Sequence, residues 1–216
     1  MKKITVLYTC FQSQLDESLF ELHLKRLPTQ MQSKIRNFIR WQDQHSRLFA
    51  KLLLQDGLIM YGFPENCLEQ LSFTKYERPF INHEIDFNIS HSGQYCVCAV
   101  SSDCHLGVDI EHIRTISIDD FDRFLGKTEF ENILAAPDPM SAFFKCWTIK
   151  EGAVKAEGKG LSLPFDQVHI NNNAIYIEDS VWYYQPLDIH PEYHCHVVYD
   201  MPDVQIVLVQ KTYDMH

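Results

Sequence analysis

A β-strand is predicted by the sequence His-Leu-Gly-Val-Asp-Ile-Glu at residues 105–111, where a second series of elements begins. Side chains alternate between the two faces of a strand, so the aliphatic residues point one way while Asp109 and Glu111 point the other. Such a pattern most often describes a half-buried strand whose polar face lies in water. Two carboxylates on one face can also chelate a hard cation through oxygen, so both interpretations stay open at this point.

A long helix is predicted downstream, from about Asp138 to Gly158. Asp138 and Pro139 suit its N-cap and first turn, and the glycine at its end favours termination. An apolar stripe follows the helical period and consists of Met140, Phe143, Phe144, Trp147 and Val154. Glu151 falls within this stripe, which indicates a metal or a cationic partner because charges are rarely buried alone. An ordinary surface pair of Glu151 with Lys155, one turn on, is the alternative.

Two α+β halves are predicted, at residues 1–103 and 104–216, which meet near Ser102-Asp103. Helices are predicted around Leu15–Leu27, Ile35–Ile39 and Gln42–Ile59, and a capping box at Thr128–Glu131 predicts a further helix start. Strands are predicted at Ile4–Cys10, Leu71–Lys75, Phe87–Ser90, Tyr95–Ser101, Gln167–Ile170, Ala174–Ile177, Val181–Gln185, His194–Tyr199 and Gln205–Val209. The predicted fold class is therefore α+β.

The composition of the 216 residues excludes several classes of protein. A formal net charge of −10 argues against a protein whose main partner is nucleic acid. No apolar run approaches the length needed to cross a membrane, and the short apolar stretch after Met1-Lys2-Lys3 lacks the features of a signal peptide. The seven cysteines are scattered, without paired C-x-x-C spacing. Free thiols favour a reducing compartment, so the cytoplasm is the expected location.

One segment of this acidic chain is strongly basic. Residues 25–51 contain seven lysines and arginines against the single acid Asp43. A solvated helical face is the more common interpretation of such a segment, and a binding site for a phosphate-rich ligand is the other.

Three short motifs follow one another along the chain. They are Phe-Asn-Ile-Ser-His-Ser-Gly at 87–93, Gly-Val-Asp-Ile-Glu at 107–111 and Trp-Thr-Ile-Lys-Glu at 147–151, the last followed by Lys155 and by Gly-Lys-Gly-Leu at 158–161. Their order and spacing resemble the signature of Sfp-type 4′-phosphopantetheinyl transferases. The basic segment, with Asp43-x-x-x-Arg47, is similar to the coenzyme-binding region of that family. The resemblance thus covers nearly the whole chain.

The resemblance implies an enzyme that transfers 4′-phosphopantetheine from coenzyme A to a serine of an apo carrier protein, peptidyl or acyl, with release of 3′,5′-ADP. It implies Mg²⁺ as cofactor, bound by Asp109, Glu111 and Glu151. Glu151 would accept the proton of the serine hydroxyl, and Lys155 would donate a proton or a hydrogen bond to the leaving group. Lys150 would add positive charge nearby.

The resemblance also implies which residues bind coenzyme A. They are Lys34, Arg47, Arg78, Ser90, His91 and Lys155. Arginine suits the fork-like contacts that phosphates require. One departure affects this region, because Glu77-Arg78-Pro79 stands where the family often has Gly-Lys-Pro. The glutamate places a carboxylate beside an anionic ligand and puts the local backbone geometry in question.

The fold implied by the resemblance is a pair of similar α+β halves about a pseudo-twofold axis, with the active site in the cleft between them, in a chain that acts as a monomer. The carrier protein would dock near Thr115–Phe130, although core packing explains the apolar residues of that segment equally well. Two other functions remain open. One is a noncatalytic coenzyme A or nucleotide-binding module, and the other is a metal-dependent phosphodiester hydrolase.

Overall fold

The chain folds into two α+β halves in a computed structural model that describes residues 2–81 and 84–213. The first half contains β1 (Lys3–Cys10), α1 (Glu17–Leu24), α2 (Thr29–Arg36), α3 (Trp41–Met60), β2 (Ser72–Phe73), β3 (Pro79–Phe80), β4 (Asp86–Ser92) and β5 (Tyr95–Ser101). The second half contains β6 (Leu106–His112), α4 (Lys127–Leu134), α5 (Pro139–Glu157), β7 (His169–Asn171), β8 (Ala174–Ile177), β9 (Ser180–Pro186), β10 (Tyr193–Tyr199) and β11 (Gln205–Gln210).

The two halves repeat one order of elements. In the first half, β1 leads to the long helix α3 and then to the hairpin β4–β5, whose second strand pairs antiparallel with β1. In the second half, β6 leads to α5 and later to the hairpin β9–β10, whose second strand pairs antiparallel with β6. This topology confirms the predicted α+β class.

The last strand does not stay with the second half. β11 pairs in parallel with β1, with Lys3 opposite Gln205 and Tyr8 opposite Gln210, and so becomes the edge of the first sheet. The sheet orders are β11-β1-β5-β4 and β6-β10-β9-β8-β7. Because a parallel pair needs a long connection, this partner could not be inferred from the local pattern of β11.

Polar side chains of β4 join the two sheets. Every second residue of β4 presents an oxygen that accepts a hydrogen bond from every second backbone N–H of β6. The four bonds are Leu106 N to Asp86 Oδ2 (2.9 Å), Val108 N to Asn88 Oδ1 (3.0 Å), Ile110 N to Ser90 Oγ (3.4 Å) and His112 N to Ser92 Oγ (3.2 Å). Side chains thereby satisfy N–H groups on one edge of β6.

Both faces of β6 are covered, so the interpretation that its polar face lies in water is wrong. Leu106, Val108 and Ile110 are fully buried in a core that they share with Ile4 and Val97. The opposite face packs against α5. Gly107 of β6 and Gly152 of α5 allow the two backbones to come close.

Local signals placed the ends of α5 correctly. Asp138 Oδ1 accepts a hydrogen bond from Ser141 N (3.0 Å), Pro139 lies in the first turn, and Gly158 ends the helix with a left-handed φ of 76°. The end of a helix often needs such a glycine, because other residues are strained there.

Two helix predictions need correction. The N-cap of α4 is Gly126, not Thr128, because Glu129 Oε2 accepts the hydrogen bond from Gly126 N (3.1 Å) and Thr128 lies inside the helix. Helix α2 ends at Arg36, so the helical spacing of Phe38 and Ile39 was misleading, and Ile39 is 99% exposed. Among the helices of the described residues, none is long and apolar enough to cross a membrane.

Candidate active site

Strand β6 and helix α5 touch through their backbones. A Cβ atom on Gly107 would lie 2.1 Å from the carbonyl oxygen of Gly152 and 2.5 Å from Ala156 N. Such distances exclude any side chain at position 107, because backbone atoms cannot move aside as a flexible side chain can. The close approach brings the side of β6 that carries carboxylates directly under α5.

Asp109 lies at the centre of this contact and is 4% exposed. Its Oδ1 accepts hydrogen bonds from Ser90 Oγ (2.7 Å) and from Lys155 Nζ (2.6 Å). Its Oδ2 is buried and has no hydrogen-bond partner. A buried carboxylate oxygen without a partner is costly, so this atom indicates a missing ligand of positive charge.

Glu111 follows on the same face of β6. Its Oε2 accepts hydrogen bonds from Ser92 Oγ (2.7 Å) and from a guanidinium nitrogen of Arg114 (3.2 Å). Arg114 was not predicted to belong to the site, and it also lies over the ring of Phe144 at 5.2 Å. These contacts fix the carboxylate of Glu111 beside Asp109.

Glu151 reaches the same region from α5. Burial raises the pKa of Glu151, the charge of Lys155 opposes this shift, and Asp109 and Glu111 add to it. These contributions show that Glu151 lies within electrostatic range of Asp109 and Glu111, which are far from it in the sequence. This position is consistent with the prediction that Glu151 has a metal or a cationic partner.

Lys155 supplies positive charge to the cluster. Its Nζ donates hydrogen bonds to Asp109 Oδ1, to Ser90 Oγ (3.2 Å) and to the carbonyl oxygen of Val108 (3.3 Å). Burial alone would lower the pKa of Lys155, but the charge and hydrogen bond of Asp109, together with the charges of Glu151 and Glu111, raise that pKa above its usual value. Lys155 therefore stays protonated at neutral pH.

The three carboxylates offer Mg²⁺ an incomplete set of oxygen ligands. Across residues 2–81 and 84–213, no three His, Cys, Asp or Glu side chains are arranged as a ready-made metal site. Nevertheless, Asp109 Oδ2 lacks a partner, and the neighbouring carboxylates raise the pKa of Glu151. A hard divalent cation that keeps water and phosphate ligands needs only such an incomplete set of oxygens, so the residues fit Mg²⁺.

The predicted coenzyme A contacts from the basic segment form one groove. Lys34 and Arg47 line a groove of about 490 Å³ together with Phe38, Phe73 and a lysine that was not predicted, Lys51. Burial lowers the pKa of Lys51, and the charges of Arg47 and Lys34 add to this shift. The three cations are thus close together, which favours an anionic ligand over a solvated helical face.

Two residues of β4 connect this groove with the carboxylates. Ser90 contacts Asp109 and Lys155, as described above. Burial lowers the pKa of the adjacent His91, and the charges of Arg47 and Lys155 lower it further. His91 therefore lies within electrostatic range of both the basic groove and the carboxylate cluster.

Arg78 lies apart from these residues. Its guanidinium donates to both carboxylate oxygens of Asp86 (2.8 and 2.9 Å) and to the carbonyl oxygen of Leu106 (2.9 Å), while Nη1 is buried without a partner. It lines a separate cavity of about 1020 Å³ beside the end of α5, where Gly158 leaves room for it. Arg78 thus braces the start of β6, and one nitrogen is left for a ligand.

Comparison with known proteins identifies the family. The model of the 4′-phosphopantetheinyl transferase superfamily matches residues 105–207, and the model of the 4′-phosphopantetheinyl transferase N-terminal region matches residues 14–103. The transferase gsp of Aneurinibacillus migulanus is 32% identical over 174 residues, which are 79% of this chain and 72% of that protein. The chain belongs to the Sfp-type 4′-phosphopantetheinyl transferases.

A second transferase agrees with this assignment. The transferase Sfp of Bacillus subtilis (strain 168) is 29% identical over 205 residues, which are 90% of this chain and 91% of that protein. A crystal structure of the holo-[acyl-carrier-protein] synthase of Thermotoga maritima matches with a TM-score of 0.36 at 18% identity, over 44% of this chain and 61% of that one. Because the matched family and these relatives are 4′-phosphopantetheinyl transferases, the protein is an enzyme of this type.

Lys150 of the transferase is not in the carboxylate cluster, which corrects its predicted placement. Although it precedes Glu151, its side chain is 0% exposed and pairs with Glu129 (2.8 Å). Its Nζ also donates to the carbonyl oxygens of Phe165 (2.9 Å) and Val168 (2.6 Å). Adjacent helical residues point about 100° apart, so Lys150 faces a different neighbour from Glu151.

The segment predicted to dock a carrier protein, Thr115–Phe130, packs largely on the transferase itself. Ile118 and Leu125 are 5% exposed and belong to a core with Phe143. The ring of Phe121 lies 5.3 Å from that of Trp147 in an edge-on arrangement. Core packing thus explains most apolar side chains of this segment, as the second interpretation held.

Proposed function

We propose that this transferase moves 4′-phosphopantetheine from coenzyme A to a serine of an apo peptidyl or acyl carrier protein, in a Mg²⁺-dependent reaction that releases 3′,5′-ADP. The observation that carries this proposal is the convergence of Asp109, Glu111, Glu151 and Lys155 between β6 and α5, with Asp109 Oδ2 buried and unpaired. The basic groove around Arg47 supports a ligand with several phosphates.

In the proposed reaction, the serine oxygen forms a bond to the β-phosphorus of coenzyme A, and the bond from that phosphorus to the bridging oxygen breaks. Glu151 accepts the hydroxyl proton as the general base. Lys155 retains its proton and stabilises the negative charge on the departing 3′,5′-ADP as a hydrogen-bond donor.

Asp109, Glu111 and Glu151 would hold the cation. When bound there, Mg²⁺ neutralises charge on the pyrophosphate. Ser90 Oγ donates a hydrogen bond to the Asp109 carboxylate and accepts one from the ammonium group of Lys155, so it would position both groups. Lys34, Arg47 and His91 would contact the phosphates of coenzyme A, and the free Nη1 of Arg78 would add a contact from the second cavity.

We further propose that one chain is sufficient for activity and that it works in the cytoplasm as two functional halves, residues 1–103 and 104–216. Ser90 and His91 come from the first half and the carboxylates from the second, so a single chain provides both sides of the site. All seven cysteines are free thiols, which suits a reducing compartment.

Intact-protein mass spectrometry tests the function. Apo carrier proteins, coenzyme A and Mg²⁺ are incubated with the enzyme, and EDTA replaces Mg²⁺ in the control. We expect the carrier to gain one phosphopantetheine only with Mg²⁺ present. Coenzyme A binding without transfer to any carrier would indicate a noncatalytic module, and cleavage of coenzyme A without a carrier would indicate a hydrolase.

A further inference from the structure

We propose that Ser92 and Arg114 determine which divalent cation the active site accepts. They occupy one oxygen of Glu111, so this carboxylate can coordinate a cation only through its other oxygen, which favours Mg²⁺ over Ca²⁺. The inference rests on the proposed function, because it concerns the cation of that same site. It assigns a role to two positioning residues that are not themselves metal ligands.

One oxygen of Glu111 has no lone pair left for a cation. A carboxylate oxygen carries two lone pairs, and Oε2 accepts two hydrogen bonds. Ser92 Oγ donates one at 2.7 Å, and Nη1 of Arg114 donates the other at 3.2 Å. Across residues 2–81 and 84–213, every hydrogen bond to this carboxylate goes to Oε2. A cation can therefore reach Glu111 only at Oε1.

Asp109, two residues earlier on β6, shows the same division. Its Oδ1 accepts hydrogen bonds from Ser90 Oγ (2.7 Å) and Lys155 Nζ (2.6 Å), while Oδ2 is buried without a partner. At both carboxylates, one serine of β4 and one cationic side chain saturate one oxygen and leave the other oxygen open. The repeated arrangement indicates a site that takes one oxygen from each of the two carboxylates.

The backbone of β6 holds both serines in place. Ser92 Oγ accepts a hydrogen bond from His112 N (3.2 Å), and Ser90 Oγ accepts one from Ile110 N (3.4 Å). An ionised carboxylate only accepts hydrogen bonds, so each hydroxyl group is the donor to its carboxylate. The position of the serines thus follows from the pairing of β4 with β6 and does not depend on a bound cation.

Arg114 is held by contacts other than its ion pair. Its Nη1 also donates to the carbonyl oxygen of His112 (3.2 Å), and its guanidinium group lies over the ring of Phe144 at 5.2 Å. These contacts matter because the Arg114 side chain is 53% exposed, and an exposed ion pair alone contributes little. The carbonyl and the aromatic ring together keep the guanidinium group beside Oε2 of Glu111.

The number of oxygens that a carboxylate offers separates the two cations. Ca²⁺ takes roughly six to eight oxygen ligands in flexible geometry and often binds both oxygens of one carboxylate. Mg²⁺ demands nearly octahedral geometry and keeps several waters, so single oxygens from Asp109 and Glu111 suit it. Release of Oε2 would allow Glu111 to bind through both oxygens and would therefore favour Ca²⁺.

The experiment compares S92A, R114M and the double variant with the wild type. Calorimetric titrations with MgCl₂ and with CaCl₂, in the presence of coenzyme A and without a carrier protein, give the two dissociation constants. We expect the ratio of the Ca²⁺ Kd to the Mg²⁺ Kd to fall about 10-fold in each single variant and further in the double variant, since partners of metal ligands commonly change metal affinity by about 10- to 100-fold. The charge lost in R114M affects both divalent cations alike and cancels in this ratio.

S92T and R123M are matched controls. S92T retains a hydroxyl group, so it should keep the ratio of the wild type. Arg123 lies over the ring of Phe124 at 4.7 Å, much as Arg114 lies over Phe144. R123M thus removes a stacked arginine that is not among the partners of Glu111, and it should also leave the ratio unchanged.

Two results would overturn the inference. A rise of both dissociation constants by the same factor in S92A and R114M would leave the ratio unchanged and reduce both residues to a structural role. A shift of the ratio in R123M as large as that in R114M would show that the partners of Glu111 are not the cause. If S92A and the double variant do not fold, R114M decides by itself, because its side chain is about half exposed.

The wild type separates this inference from the proposed function. Absence of Mg²⁺ binding, together with absence of transfer to every carrier, would overturn both. Normal Mg²⁺-dependent transfer by the wild type, with the same ratio of dissociation constants in S92A, R114M and the wild type, would overturn the inference alone.

Discussion

Lys155 Nζ lies 2.6 Å from Asp109 Oδ1, while the second carboxylate oxygen of Asp109 has no partner. One oxygen is thus neutralised by a lysine of α5, and the other is left for a ligand from outside the chain. This division would allow a buried aspartate to hold both a cation and the lysine that we propose to face the leaving group. It also explains why a change at either residue should affect more than one step.

Replacement of the carboxylates should abolish transfer without unfolding the protein. We expect E151Q and D109A to lower kcat/KM by at least about 100-fold, because each removes a ligand and E151Q also removes the proton acceptor. Initial rates at saturating Mg²⁺ measure this effect. E192Q, at a side chain that is 71% exposed, is the control. Turnover like that of the wild type in either site variant would contradict the metal assignment.

The close contact of β6 with α5 should not tolerate side chains. G107A should be inactive and destabilised, because its Cβ would meet backbone atoms of Gly152 and Ala156. G152A should be milder, because its Cβ would lie 2.8 Å from Cγ2 of Val198, a side-chain atom. Overpacking of this kind costs about 1–3 kcal/mol in unfolding free energy.

A double variant tests that explanation of the glycine contact. V198A removes the atom that G152A would strike, so G152A/V198A should recover activity relative to G152A. Chemical denaturation and transfer rates measure both properties. Equal stability of G107A and the wild type would show that β6 and α5 are less tightly joined than described.

The glutamate at position 77 should strain the backbone. Glu77 has a left-handed φ of 63°, a conformation that suits the glycine common in the family at this position. We expect E77G to be more stable than the wild type by up to about 1 kcal/mol, since other residues are strained there. E77Q removes the charge but retains the side chain, so it should gain no stability. Thermal unfolding distinguishes the two.

Asp56 should make stability depend on pH in the acid range. Burial raises its pKa, but hydrogen bonds from Tyr213, Lys211 and Arg26 outweigh this effect and lower the pKa below its usual value. A depressed pKa stabilises the fold above the pKa of the unfolded state, and this stabilisation is lost as pH falls through the folded value. D56N should therefore be less stable than the wild type at pH 7.

The comparison across pH provides the test of Asp56. The difference in unfolding free energy between D56N and the wild type should shrink below about pH 4, where the unfolded carboxyl group becomes protonated. Denaturation curves at pH 7 and at pH 3 measure it. A difference that is equal at both values would contradict the role of the ionised carboxylate.

Local signals determined what could be predicted from the sequence. The caps of α5 at Asp138 and Gly158 were predictable because capping involves neighbouring residues, and Glu151 was noticeable because it interrupts an apolar stripe. The partners of Lys150 were not predictable, since Glu129, Phe165 and Val168 are 15 to 21 residues away and meet it only in the fold.

Long-range pairing explains why other features of the fold could not be predicted from the sequence. The alternation of Asp86, Asn88, Ser90 and Ser92 is visible in the sequence, and it could have indicated a strand with polar side chains on one face. Nothing local shows that this face binds the backbone of β6. Likewise, β11 was predicted as a strand, but its parallel pairing with β1 depends on the whole chain.

The most direct test of the central claim is the Mg²⁺ dependence of carrier modification in the wild type and in D109A, followed by intact-protein mass spectrometry. We expect the wild type to add one phosphopantetheine to the carrier serine with Mg²⁺ and none with EDTA, and D109A to add none in either case. Equal modification by the wild type with EDTA and with Mg²⁺ would contradict the assignment of Asp109, Glu111 and Glu151 as the metal site.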